Sequence, residues 1–200
     1  MEGSTHPVRI SREKVAENRE LLIQVAADQF REHGIDGVGV ADLMKKAGMS
    51  LGSFYGYFDS KEQLVAECCA HAIAETREKM TIALSRPLPK AMEKIVDEYL
   101  SIQHRDNRSK GCVLAALGSE IAHKPGMVHK AATPELAQLF EKMAGSLPGS
   151  PRKKQREQSI AIMASLMGGL ILSRMTDDAK LSKDILDAVK ASAKSLVHAQ

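Results

Sequence analysis

The chain has 200 residues, 44% of them hydrophobic, with three cysteines, no tryptophan and a formal net charge of +3. That is enough apolar content for a true core in one or two domains. No apolar run approaches the ~20 residues of a membrane span, and MEGSTHPVRIS lacks the apolar centre of a secretion signal, so the sequence reads as a cytoplasmic protein with no membrane partner.

Helix-compatible segments dominate and no useful strand alternation occurs, which predicts an all-α fold. Met1 to Ser11 is a polar tail; its Arg9, with Arg12 just beyond, either reaches a groove or phosphate or is simply solvated. The first helix is expected over Asn18 to His33, with Leu22, Val25, Ala26 and Phe30 on one face and Gly34 as its stop. In VADLMKKAGMSLGSFYGYFDSK, Val40 to Lys61, the spacing of Leu43, Met44 and Ala47 predicts a short helix closed by a left-handed Gly48. Ser50 is placed to accept hydrogen bonds from the free amides of a following helix, Leu51 to Phe58. That helix is too short to stand alone. Phe54 and Phe58 give it a docking stripe, and Leu51, Gly52, Ser53, Tyr55 and Tyr57 a face without carboxylates that can approach a polyanion closely.

Ser60 then caps a long helix to about Leu84, ended by RPLP, and Lys90 to His104 forms an amphipathic helix on Met92, Ile95, Val96, Tyr99 and Leu100. After the charged loop RDNRSKG comes CVLAALG, apolar on every side, the mark of a buried helix and the natural wall of an internal pocket. A helix over Thr133 to Ala144 is entered through TPE and left through GSLPGSP. The last two helices, Arg152 to Met175 and Leu181 to His198, carry stripes at Ile160, Ala164, Met167, Ile171 and Met175, and at Ile185, Leu186, Val189, Ala193 and Leu196. Gly168 and Gly169 would admit another backbone. These stripes face either their own core or a second copy.

The run from Asn18 to Glu67, containing FREHG, SLGSFYGYF and SKEQL, resembles the TetR family of bacterial transcriptional regulators. The resemblance implies a basic arm over residues 1–17, a three-helix helix-turn-helix DNA-binding module over 18–67, and a helical effector-binding and dimerisation region over 68–200. It makes Leu51 to Tyr57 the recognition helix in the major groove, with Ser53, Tyr55, Tyr57 and Lys61 on phosphates or base edges. Arg12, Lys45, Ser50, Leu51 and Gly52 complete the expected DNA-binding set. The chain departs from the pattern at Gly39 and Val40, where Thr or Ser commonly starts the helix, at Met44, where a small residue is frequent, and at Leu51, where a polar residue is frequent. Base reading by Leu51 is then apolar, for instance against a thymine methyl. The resemblance also implies a homodimer on a near-palindromic double-stranded operator, a repressor released by a small-molecule effector. Its interface would use Ile160, Ala164, Gly168, Ile171, Met175, Leu186 and Val189. Residues 1–67 hold 8 Lys and Arg against 11 Asp and Glu, so the DNA-reading half is the acidic one and few phosphate contacts are expected.

Only Tyr99 and Phe140 of the seven aromatic residues lie outside the first 67, so an aromatic cage is not expected. The effector pocket is read as aliphatic and methionine-rich, drawn from Met92, Tyr99, Cys112, Leu117, Glu120, Phe140, Met143, Met163 and Met167. Glu120 and His123 are either its polar end or a solvated helix terminus. Cys112, near Arg105, Arg108 and Lys110, is a small core residue or the sensor of a thiol-based redox or electrophile-responsive repressor. Cys68, His71 and Glu75 share a helix face, the basis of a rival reading as a helical metal-binding protein or enzyme. No phosphate loop, nucleophile elbow or HExxH motif occurs, so neither catalysis nor a cofactor or metal is expected.

Overall fold

The computed structural model describes residues 11–84, 90–124, 126–147 and 151–198, and among them the fold is all-α. Helix α1 spans Arg12–His33. It starts before the expected Asn18 because the Ser11 side chain accepts the Lys14 N–H at 3.1 Å, a cap that converts the second half of the expected arm into helix. Arg9 and the rest of the tail lie outside the described residues. Gly34, at φ 77°, ends α1 with its N–H on the Phe30 carbonyl. Helix α2 is Val40–Lys46, and Gly48 takes the left-handed φ of 71° expected of it.

The following segment is a 3₁₀ helix, Leu51–Gly56, rather than an α-helix to Phe58. Gly52 and Gly56 disfavour a longer α-helix, and Ser50 supplies no side-chain cap; its carbonyl instead accepts both the N–H and the hydroxyl of Ser53, at 3.1 and 2.7 Å. Phe54 and Phe58 stack 5.9 Å apart and seal the module's core with Leu22, Ala26, Phe30, Leu43 and Met44. Ser60 caps α3, Lys61–Ala83, as its spacing predicts. The expected domain boundary at 67/68 falls inside this unbroken helix.

Beyond α3 come α4 (Lys90–Tyr99), α5 (Ile102–Asp106), α6 (Val113–Ala122), α7 (Met127–Ala144), α8 (Arg152–Arg174) and α9 (Ala179–His198). The single helix expected over Lys90 to His104 is broken because extended Ser101 caps the His104 N–H, and part of the expected charged loop becomes α5. Helix α7 begins at Met127, ahead of the expected Thr133, and carries Pro134 inside it. Burial of Val128 and Ala132 offsets the backbone bond that Pro134 forfeits. RPLP and the PGS of GSLPGSP, residues 148–150, lie outside the described residues. Helix α3 packs chiefly on α7, and α8 on α9.

The two C-terminal stripes divide. Leu186 is buried and Val189 half-buried against α8, where Gly169 faces Val189, so these two serve the protomer's own core. Ile160, Ala164, Ile171 and Met175 are exposed, Met175 at 74%, and Gly168 has open space where a side chain would project. Leu172, 51% exposed, extends that uncovered apolar face.

Candidate nucleic-acid interface and effector cleft

The 3₁₀ helix presents a tip whose two sides are chemically opposite. Inward, Phe54 and Phe58 are buried; outward, Leu51 is 56% and Tyr55 77% exposed, with Gly52 and Gly56 adding no bulk between them. Lys45 and Ser50 are also exposed, and no carboxylate stands between Asp42 and Asp59. Ser53 spends its hydroxyl proton on the Ser50 carbonyl and keeps only lone pairs. Arg12 sits exposed in the first turn of α1.

Two expected contact residues turn inward instead. Tyr57 is half-buried, and its hydroxyl accepts from Asn18 Nδ2 at 3.0 Å. Lys61 Nζ donates to the Ile35 carbonyl at 2.7 Å with the Phe30 ring 6.0 Å away, so its charge closes the α1–α2 loop. Arg19 lies over the Phe58 ring at 4.5 Å, donates to the Tyr57 carbonyl and pairs with Glu67. Asn18 and Arg19 thus brace the reading tip from behind. Sequence reasoning missed both because their partners lie far along the chain.

A second set of contacts ties this module to the rest. Glu120 Oε2 accepts the Ile35 N–H at 2.7 Å and packs beneath Gly34, so its carboxylate is engaged by the α1–α2 loop and is not a solvated terminus. Arg31, its side chain only 7% exposed, donates to the Ser109 carbonyl at 2.6 Å; Lys110 pairs with Asp28, and Lys124 with Asp36 at 2.8 Å.

The loop that carries Ser109 and Lys110 also walls a cleft of about 210 Å³ between α3, α4 and the start of α6. Met80, Ala83 and Ile95 form its apolar side, and Tyr99, His104, Lys110, Gly111 and Cys112 the other. His104 Nδ1 faces the Tyr99 carbonyl at 2.7 Å and Nε2 the Cys112 N–H at 3.0 Å, which fixes the neutral tautomer protonated on Nδ1. Burial holds the His104 pKa below the usual imidazole range.

Of the residues expected to line a pocket, Tyr99 and Cys112 do so here. Met92, Leu117, Met143 and Met163 are packed into the core, and Phe140 and Met167 are half-buried against it. Helix α6 is buried nearly all round as expected, yet it is sealed by its neighbours and only its N-cap residue, Cys112, meets the cleft. Arg105 is engaged by Asp106 and Lys110 by Asp28, so their charges are not focused on the Cys112 thiol.

Cys68 is buried with its thiol on the Ile23 carbonyl, while His71 stands half-exposed between Glu20 and Glu75 at 3.7 Å from each. Burial pushes the Cys68 thiol well up and that of Cys69 to about 12. The expected metal face therefore does not converge, and among the described residues no cluster of three or more metal-ligating side chains occurs. No helix among the described residues is long and apolar enough to cross a membrane.

The family model of the bacterial regulatory proteins of the tetR family matches residues 22–68, the stretch that builds the tip and its braces. Over 54 residues the chain is 43% identical to the uncharacterised HTH-type transcriptional regulator YdgC of Bacillus subtilis, a match covering 27% of this chain and 28% of that protein. The curated relatives most similar over this module are matched along only about a quarter to a third of their length. An uncharacterised HTH-type regulator from the lacX 3′ region of Lactococcus lactis is 26% identical over 180 residues, 87% of this chain and 92% of that one. In fold, a TetR transcriptional regulator from Chloroflexus aurantiacus superposes with a TM-score of 0.75 at 20% identity, over 94% of this chain and 98% of the other. Residues 22–68 thus match in sequence the helix-turn-helix module of the bacterial regulatory proteins of the tetR family, and the helical body that carries it matches TetR regulators in fold.

Proposed function

We propose that the protein is a homodimeric transcriptional repressor that binds a near-palindromic double-stranded operator and is released from it by a small molecule. The observation that carries this reading is the reading tip itself: Leu51, Gly52 and Tyr55 stand free on a short helix, held from behind by buried Phe54 and Phe58 and by Asn18 and Arg19. Such a tip offers a thymine methyl an apolar partner and a phosphate a phenol, with Lys45 as the adjacent cation. The uncovered α8 face of Ile160, Ala164, Gly168, Ile171 and Met175 supports pairing with a second copy, which would set two tips about one DNA turn apart.

The cleft beside Tyr99 and Cys112 is the proposed effector site, because its wall is the loop that grips α1 through Arg31 and Asp28. A molecule that shifts residues 109–112 would shift α1 and, through Asn18 and Arg19, the tip. Coupling of this kind is typically worth ~1–3 kcal/mol.

The test is a mobility-shift titration on the DNA upstream of the gene and its divergent neighbour, with nonspecific competitor and at two salt concentrations. Competitor-resistant binding with a shallow salt slope is expected. Tyr55→Ala should lose on the order of tenfold in affinity with an unchanged melting temperature. Lys61→Ala should melt earlier, by about 1.5–3 kcal/mol, because it removes a charged hydrogen bond inside the module. Binding that competitor abolishes, or a Tyr55→Ala protein that binds as tightly as the parent, would overturn the assignment.

A further inference from the structure

Apart from exposed Lys79 at the rim, the polar side chains around the α3–α4–α6 cleft are spent, with one exception. Both nitrogens of His104 are committed, the Thr76 hydroxyl donates to the Ala72 carbonyl, Lys110 pairs with Asp28, and Glu98 at the rim pairs with Lys94. The Tyr99 hydroxyl is different: it is buried and finds no well-formed hydrogen bond among the described residues. The Cys112 thiol lies close enough to interact with it but not in hydrogen-bond geometry. A buried phenol left unpaired is destabilising in the empty protein and calls for a physical reason. Tyr99 and Cys112 both line the cleft, so a turn of the short Cys112 side chain would open a path between the buried hydroxyl and an occupant.

The walls define the rest of that occupant. Met80, Ala83 and Ile95 face it with apolar surface, and Lys79, which has no ion-pair partner among the described residues, is exposed at the rim. The guanidinium near Tyr99, that of Arg174, is spent on the carbonyls of His104 and Arg105, so a charge buried beside Tyr99 would find no free partner there and would bear most of its desolvation penalty. At about 210 Å³ the cleft is also smaller than the ~300–1,000 Å³ that takes a drug-sized ligand.

We propose that this cleft selects compact, uncharged, largely apolar molecules carrying one hydrogen-bond acceptor, and that the Tyr99 hydroxyl is the donor that reads the acceptor. The proposal rests on the effector site named above and adds the ligand class and the residue that sets it.

Three probes of similar size separate the chemistry: acetophenone, its hydrocarbon counterpart cumene, and the anion benzoate. Calorimetric or NMR titration of the full chain, without DNA, should show acetophenone binding several-fold to ~10-fold tighter than cumene, with benzoate weakest. In Tyr99→Phe the preference for acetophenone over cumene should vanish while cumene affinity persists. The same variant, without ligand, should melt at or above the parent temperature, because it removes an unpaired buried hydroxyl; a clearly lower melting temperature would show that the hydroxyl is already satisfied. Equal affinity for acetophenone and cumene, a preference for benzoate, a preference surviving in Tyr99→Phe, or no binding by any probe would overturn the proposal. Mobility shift with and without acetophenone separates the two readings: selective binding that leaves the DNA complex intact keeps the ligand class and sinks the effector role, whereas failure to bind the operator even without acetophenone sinks the repressor alone.

Discussion

His104 shows how much a single side chain can hold when both ends of its ring are used. Nδ1–H holds the end of α4 through the Tyr99 carbonyl, and the Nε2 lone pair holds the start of α6 through the Cys112 N–H. A second proton would leave Nε2 with nothing to accept with, facing another donor. Burial lowers the His104 pKa in the folded protein, so as pH falls through the free imidazole range near ~6.5 the unfolded chain takes the proton first. The stability contribution of neutral His104 is therefore full above that range and lost progressively below it. Melting temperatures recorded from pH 7.5 to 5 should fall in the parent and fall less in His104→Gln; parallel curves would assign the acid sensitivity elsewhere. At this scale the sequence was legible where chemistry is local. Phe54 and Phe58 reveal their stripe by spacing, and Gly48 its backbone by being glycine. The intramolecular bonds of Tyr57 and Lys61 were not legible, because their partners, Asn18 and the Ile35 carbonyl, lie far off along the chain. A spacing rule sees a cation, not the carbonyl waiting for it.

The adjacent glycines of α8 put two different jobs side by side in one helix. A Cβ on Gly169 would stand 2.8 Å from Val189 Cγ1 and 3.0 Å from its Cβ, so the α8–α9 pair closes only because that atom is missing. Gly168 points into open space on the exposed stripe. Gly169→Ala should destabilise the protomer by about 1–3 kcal/mol through overpacking. Gly168→Ala should raise protomer stability by about 0.5–1 kcal/mol through helix propensity while weakening self-association, if that face meets a second copy. Thermal melting and sedimentation velocity on the two variants read these effects separately; unchanged association in Gly168→Ala would move the partner surface off this stripe. Sequence periodicity located both C-terminal stripes but could not say which faced inward, since Leu186 and Ile171 obey the same spacing. Helix ends were legible where a cap announced them, as at Ser60 and Gly34. They were missed at Ser11, Ser101 and Gly126, where the capping residue sat inside a stretch already read as loop or continuous helix.

Over the whole molecule, an all-α fold with an N-terminal helix-turn-helix followed from periodicity and one specific motif, while the pocket did not. The methionines expected to line it fill the core instead, because a flexible apolar side chain serves packing and binding equally well. Nor does the sequence reveal how the DNA-reading head is finished. Its α1–α2 loop takes an acceptor from Glu120, its Arg31 is satisfied by the Ser109 carbonyl, and its Asp36 by Lys124. A fragment ending at residue 67 would cut α3 and leave the Ile35 N–H without its carboxylate, at about 1–3 kcal/mol for that group alone. Circular dichroism and amide dispersion in NMR should show such a fragment melting broadly or lacking fixed structure; a sharp, reversible transition would refute this. Transplanting the head onto another regulator's body is therefore not a matter of splicing at a linker: a working chimera has to bring residues 109, 110, 120 and 124 across with it, or supply equivalents at the same places.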